Sequence, residues 1–142
     1  MSGFLLDTNV PSELVRPKPD PKVTAWVAAQ ELETLFISSV SFGEIRKGID
    51  LRSPGKRKSE LEVWIEIDLP TLFSGRILTV TRAIAERWGR LEAQRQLAGH
   101  PLSAADGLIA ATMLEHGLIV VTRNTKDFAD LGLTILNPWE TA

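Results

Sequence analysis

Three short runs decide what this chain can become. Phe4-Leu5-Leu6, Leu35–Ser38 and the LIVVT run from Leu118 to Thr122 contain almost no polar residue. A strand that is apolar on both faces must be covered on both faces, which is the signature of a parallel sheet rather than a half-solvated antiparallel one. The segments between these runs read as helices: Ser12–Arg16, Pro21–Leu32, Val40–Leu51, a long stretch Lys56–Phe73 bent at Pro70, Arg82–Leu97, and Ser103–His116 closed by Gly117. Arg76–Val80 reads as a further strand. The alternation predicts an α/β chain with a mostly parallel sheet sheathed by helices. In such a fold, ligands gather beyond the carboxyl ends of the strands.

The chain has 142 residues, enough for one sizeable core, and is expected to form a single domain across 1–142. Two loop-like stretches, Arg16–Lys22 with its three prolines and Arg52–Lys58, are too short to separate domains. A net charge of −2 gives no general attraction to polyanions, so any such binding must come from a local patch. With no cysteine, disulfides, thiolate metal sites and cysteine nucleophiles are excluded. No run reaches the ~18 apolar residues of a membrane span, and no basic segment precedes the first apolar run. Cytoplasmic location is the expectation.

Asp7 stands where the first strand stops. Glu44 lies early in the helix after the second strand, Asp106 early in the helix SAADGLIAATMLEHG, and Asn124 and Asp127 follow LIVVT in TRNTKDF. Each has an ordinary reading. Ser41-x-x-Glu44 and Ser103-x-x-Asp106 both fit a capping box, and Asp127 suits a cap on a short helix around Phe128. Together they ask for more. Two carboxylates ~4 Å apart repel by about 4 kcal/mol at an effective dielectric near 20, so a converging set needs a cation. Hard oxygen donors favour Mg²⁺ or Mn²⁺. His100 and His116 are unpromising ligands, one before a proline and one at a helix end, which argues against zinc.

On LLDTNV with Asp7, SSVSFGEIRKGI with Glu44, and LSAADGLIAATMLEHGLIVVTRNTKDF with Asp106, the chain resembles the PIN-domain ribonucleases. The likeness is to toxins of the VapC type, in their FitB-like branch, and runs from Phe4 to the NPW near the C-terminus. It implies a three-layer α/β/α sandwich with a mostly parallel central sheet. It also implies a metal-dependent endoribonuclease in which Asp7, Glu44 and Asp106 converge on Mg²⁺ or Mn²⁺. Asn124 occupies the family's fourth acidic position, so one metal site is expected on Asp7 and Asp106, with Glu44 mostly through water and a second site weaker. Partners implied are an RNA substrate, a cognate antitoxin, and a second copy of the chain in a homodimer or a hetero-oligomer with the antitoxin.

The expected chemistry is hydrolysis of an RNA phosphodiester, the cation easing ionisation of water and screening charge on the phosphate. Glu44 is the expected proton acceptor. Thr8 and Thr122 are candidates to orient these groups. Between Arg46 and Lys58 six basic residues stand against one acid, so Arg46 and Lys47, one turn past Glu44, are candidate phosphate contacts, with Arg123 beside Asn124. Trp26, Trp64 and Trp88 are expected in the core. A partner-binding module on a degenerate PIN fold and a DNA-directed nuclease of the same superfamily are the alternatives. A haloacid dehalogenase-type phosphatase wants Asp-x-Asp-x-Thr where Asp7-Thr8-Asn9 stands, and no Gly-x-Gly-x-x-Gly follows the first strand as a dinucleotide site requires.

Overall fold

The computed structural model describes residues 3–140. Five strands among them form one sheet in the order β3-β2-β1-β4-β5, and every neighbouring pair is parallel. The strands are β1 (Phe4–Leu6), β2 (Leu35–Ser38), β3 (Ile77–Leu78), β4 (Ile119–Val121) and β5 (Ile135–Leu136). β1 is central: Phe4, Leu5 and Leu6 pair with Leu35, Phe36 and Ile37 on one side and with Ile119, Val120 and Val121 on the other. The other two apolar runs of the sequence therefore flank the strand that ends in Asp7.

Alternation of side chains along β1 divides the core in two. Leu6 joins Val10, Val23, Ile45, Ile49, Leu61, Ile65, Leu69 and Val121 on one face. Leu5 joins Phe36, Leu91, Ile109, Ala110, Met113, Val120 and Phe128 on the other. The first layer is built from α1 (Asn9–Leu14), α2 (Pro21–Ala28), α3 (Ser39–Asp50) and α4 (Lys56–Val63) with its continuation into α5 (Leu69–Leu72). The second is built from α6 (Arg82–Leu97), α7 (Ala104–His116) and α8 (Thr125–Phe128). This is the three-layer α/β/α sandwich expected.

Local chemistry explains where the elements start and stop. Asp20 caps α2 by accepting from the Lys22 amide, with Pro21 in the first helical position. Thr81 and Ser103 cap α6 and α7 in the same way. Gly117, at φ 64°, closes α7 and turns the chain into β4. The Lys56–Phe73 stretch passes through a π-helical turn, Trp64–Asp68, that ends two residues before Pro70. Proline has no N–H for the carbonyl one turn back, and the wider turn absorbs that missing bond.

Several boundaries differ from the sequence reading. α1 starts at Asn9 rather than Ser12, because Pro11 falls in a first turn whose amides need no intrahelical partner. α2 stops at Ala28 rather than Leu32: the Gln30 side chain donates to the Trp26 carbonyl at 3.0 Å, replacing the backbone donor that would have continued the helix. β3 keeps only two of the five residues expected. Trp26 and Trp64 pack against the first core as expected, Trp26 edge-on to Phe4 with ring centroids 5.1 Å apart. Trp88 is half-buried against α7, and its indole nitrogen makes no hydrogen bond among the described residues.

Candidate metal centre

β1, β2 and β3 run to one side of the sheet and β4 and β5 lie on the other, so the chain changes direction between β1 and β4. The crevice at such a switch is where an open parallel sheet binds ligands. Asp7 sits at its mouth. The Asp7 amide still belongs to the ladder, donating to the Val121 carbonyl at 2.9 Å, while the residue is only 4% exposed.

That carboxylate is held at both oxygens. The Thr8 amide donates to Oδ1 at 2.8 Å, and the Thr122 hydroxyl donates to Oδ2 at 2.8 Å. Thr122, fully buried, is itself saturated: its oxygen accepts from Asn9 Nδ2 at 3.2 Å and from the Asn124 amide at 3.0 Å. One donated and two accepted bonds are all that a hydroxyl can make. Thr122 is thus a fixed bracket across the crevice rather than a rotor.

Thr8 carries the second bracket. Its Oγ lies 2.5 Å from Glu44 Oε1 and 2.8 Å from Ser41 Oγ. Its single proton goes to the carboxylate, the stronger acceptor, so the buried Ser41 hydroxyl donates to Thr8. Glu44 is exposed and lies in the second turn of α3. The helix is capped instead by Ser38, which accepts from the Val40 amide at 3.1 Å. The capping box read at Ser41-x-x-Glu44 is therefore absent, because α3 starts earlier than that box requires. Asp106 does sit in the first turn of α7, and Ser103 accepts its amide at 3.2 Å.

Burial dominates the electrostatics of the centre. It lifts the Asp7 carboxyl to about 6, against the downward pull of the Thr122 and Thr8 hydrogen bonds and with a further push from the charges of Asp106 and Glu44. Asp106 is also raised, first by burial and then by Asp127 and Glu44, opposed by a hydrogen bond with Ser103. Asp7, Glu44, Asp106 and Asp127 thus share one electrostatic neighbourhood. Yet among the described residues no three acids or histidines stand close enough to form a ready-made metal cage. The donor set still fits a hard divalent cation. It is all oxygen, and Asp7 and Asp106 are held toward the neutral form first by burial and then by neighbouring acids, a bias that a cation would oppose.

Other expected residues are placed differently. Asn124 touches the bracket through its backbone amide, and it lines a neighbouring cavity of about 380 Å³ with Lys126, Asp127 and Glu140. Asp127 lies in the first turn of α8, as expected of an acid at that helix start, although Asn124 is the N-cap and makes no side-chain cap bond; the charge of Asp127 also acts on Asp106. Arg46 is ion-paired with Glu66 and lines a separate groove with Phe42 and Pro70. Lys47 is exposed in the last turn of α3. The Arg123 guanidinium lies over the Trp139 ring, 5.5 Å from its centroid. Ser41 and Asn9 join the site without having been expected there. Asn9 had a signal, as the third residue of the Asp-Thr-Asn stop.

α7 is set by a close approach. A Cβ on Gly107, next to Asp106, would lie 2.8 Å from Trp88 Cδ1 and 2.9 Å from Trp88 Nε1. Only glycine lets α6 and α7 meet there. The Trp88 indole nitrogen and Glu92 Oε2, both facing that glycine, are buried without hydrogen-bond partners among the described residues.

Comparison with known proteins agrees with this geometry. The family model described as PIN domain matches residues 4–132. The chain is 40% identical over 139 residues to VapC ribonuclease Y4jK of Sinorhizobium fredii, covering 98% of this chain and 99% of that protein. It is 38% identical over 136 residues to Toxin FitB of Neisseria gonorrhoeae, covering 96% and 98% respectively. The solved structure of FitAB bound to a DNA fragment superimposes with a TM-score of 0.89 at 37% identity, covering 98% of this chain and 97% of that one. The chain, with its strand-end Asp7 and its five-stranded parallel sheet, belongs to the PIN-domain family.

Proposed function

We propose that this protein is a metal-dependent endoribonuclease that hydrolyses RNA phosphodiesters, as the toxin of a toxin–antitoxin pair. The observation that carries the reading is Asp7. A carboxylate buried at the switch point, held at both oxygens and pressed by Glu44 and Asp106, is poorly suited to structure alone and well suited to a cation. Its relatives named as a ribonuclease and a toxin support the same activity.

Mg²⁺ or Mn²⁺, when bound, supplies charge stabilisation at the phosphate and eases the ionisation of water. Asp7 and Asp106 would hold it, with Glu44 as a more distant ligand. The protein's own part is geometry and proton transfer. Thr122 and the Thr8 amide fix the Asp7 carboxylate, so it needs no rearrangement when charge builds nearby. Thr8 engages Glu44 at Oε1 and aims the carboxylate, whose other oxygen accepts the proton of the attacking water. Asp127 supplements the acids in place of the amide at Asn124. Residues 1–142 act as one nuclease domain.

The partner reading rests on the family resemblance and on the FitAB assembly of the structural neighbour. A cognate antitoxin covers the acidic crevice, and the chain pairs with a second copy of itself. No helix among the described residues is long and apolar enough to cross a membrane.

Purified protein free of antitoxin, given a structured RNA, tests the activity. Cleavage in Mn²⁺ that EDTA abolishes and that Asp7→Ala lowers by about a hundredfold or more is expected. Equal cleavage by wild type and Asp7→Ala would contradict the mechanism, and none by either would favour a partner-binding module.

A further inference from the structure

Beside the acidic centre lies a cleft of opposite character. Its volume is about 230 Å³, and Thr8 and Glu44 are among its lining residues. Arg16, Arg52 and Arg57 line the same cleft. These come from three separate places in the sequence: the end of α1, the turn after α3, and the first turn of α4. No sequence periodicity joins them; the fold does.

The three guanidiniums differ in how they are held. Arg57 donates to the Val15 carbonyl at the end of α1 and lies 3.5 Å from Glu60. Arg16 pairs with Glu13 at 3.3 Å, and Glu13 is buried, its other oxygen accepting the Asp20 amide. These two are anchored and half-neutralised. Arg52 has neither an ion pair nor a side-chain hydrogen bond among the described residues; only its backbone is engaged, the amide donating to the Ile49 carbonyl and the carbonyl accepting from Lys58. The cleft wall thus carries three fixed or available cations against one lining acid, Glu44.

Gly48 shares one face of α3 with Glu44. It is four residues after Glu44 on α3 and four before Arg52, and it lines the cleft. Glycine inside a helix is less favourable than alanine by about 1 kcal/mol. A Cβ at this position would meet nothing within 4 Å, so packing does not require the glycine. What the missing side chain does is keep the cleft open from Glu44 to Arg52.

A polyanion cannot be drawn to Asp7, Glu44 and Asp106 by those acids, and the whole chain is net negative. We propose that the Arg16–Arg52–Arg57 cleft binds a backbone phosphate of single-stranded RNA adjoining the phosphate that is cleaved, with Arg52 as its principal contact. The inference rests on the ribonuclease reading and adds to it where the strand lies: along α3, from Glu44 over Gly48 to Arg52. Guanidinium suits the role because its planar donors match phosphate oxygens in pairs. Arg46 and Lys47, the nearer cations in sequence, are outside this cleft.

The test is fluorescence anisotropy with a short fluorescein-labelled single-stranded RNA, in Mg²⁺ and over a salt series. The protein is the full chain carrying Asp106→Asn to suppress cleavage. Adding Arg52→Ala is expected to weaken binding roughly five- to tenfold and to lower the slope of log affinity against log salt by about 0.7, the change for one fewer phosphate neutralised. Arg52→Lys retains most of that slope. Gly48→Phe weakens binding by a similar factor without lowering the thermal midpoint, which separates a blocked cleft from a damaged fold. Arg82→Ala, on α6 and paired only with Glu86 among the described residues, binds as the parent does. Parent-like affinity and slope in both Arg52→Ala and Gly48→Phe, while the wild-type chain still cleaves the RNA, overturns the cleft alone. If the parent does not bind the RNA and the wild type does not cleave it, the ribonuclease reading falls and the cleft with it.

Discussion

Thr122 donates to Asp7 Oδ2 across 115 positions of sequence, from the end of β4 to the end of β1. The bond spans the crevice where the sheet changes direction, and it is buried. Because Thr122 also accepts from Asn9 and from the Asn124 amide, one hydroxyl ties together the segments that leave β1 and β4 at the carboxyl edge.

Removing that hydroxyl should therefore cost more than an average hydrogen bond. Thr122→Val leaves an Asp7 oxygen buried without its donor and two N–H groups without their acceptor. We expect a loss of about 1–3 kcal/mol in urea unfolding, with Thr122→Ser close to wild type. The same variant should bind Mn²⁺ more weakly, since Asp7 loses its orientation.

The raised Asp7 carboxyl makes the metal-free protein sensitive to pH in a defined direction. Between its ordinary value near 4 and about 6, the folded state holds a proton that the unfolded state has released. Stability in EDTA should fall as pH rises through that window and level off above it. Asp7→Asn, which has no carboxyl to titrate, should flatten this profile. Thermal unfolding in EDTA from pH 4 to 7.5 checks both.

Asp127 and Asn124 can be separated. With Asp127 pressing on Asp106 and Asn124 contributing its backbone, Asp127→Asn should raise the Mn²⁺ concentration needed for half-maximal cleavage several-fold. Asn124→Asp should lower it. Metal titrations of initial cleavage rates distinguish the two, and a null effect at Asp127 would remove it from the centre.

Gly107→Ala tests how closely the acidic centre depends on the α6–α7 packing. The added methyl collides with Trp88, so α7 must shift, and Asp106 with it. Destabilisation of about 1–3 kcal/mol is expected, together with weakened Mn²⁺ binding. Adding Trp88→Phe, which trims the ring at the point of collision, should recover part of both.

The sheet was legible because β1, β2 and β4 are apolar on both faces, and only a doubly covered strand reads that way. Asp7 was legible as a polar residue at the exit of such a strand. Glu44 and Asp106 were named from their motifs, yet the cap reading of Glu44 could be dismissed only once α3 was seen to start at Ser39. The brackets were harder to see. Thr8 and Thr122 were candidates from the sequence, but their partners were not: the bonds to Ser41, Asn9 and Asp7 span 33, 113 and 115 positions. The basic residues are also arranged by long-range structure. Arg46 and Lys47 are near Glu44 along the chain, but helix geometry turns Arg46 toward Glu66, while Arg16 and Arg57 come from other elements to line a cleft with Glu44.

The most direct test of the central claim is the thermal midpoint of the intact protein in EDTA and in millimolar Mn²⁺, for wild type and Asp7→Asn. If Asp7, Asp106 and Glu44 hold a cation, binding to the native state alone should raise the wild-type midpoint on the order of 5–10 °C at about a hundredfold excess over Kd, and leave Asp7→Asn nearly unmoved. A wild-type midpoint unchanged by Mn²⁺, or an equal rise in Asp7→Asn, would contradict it.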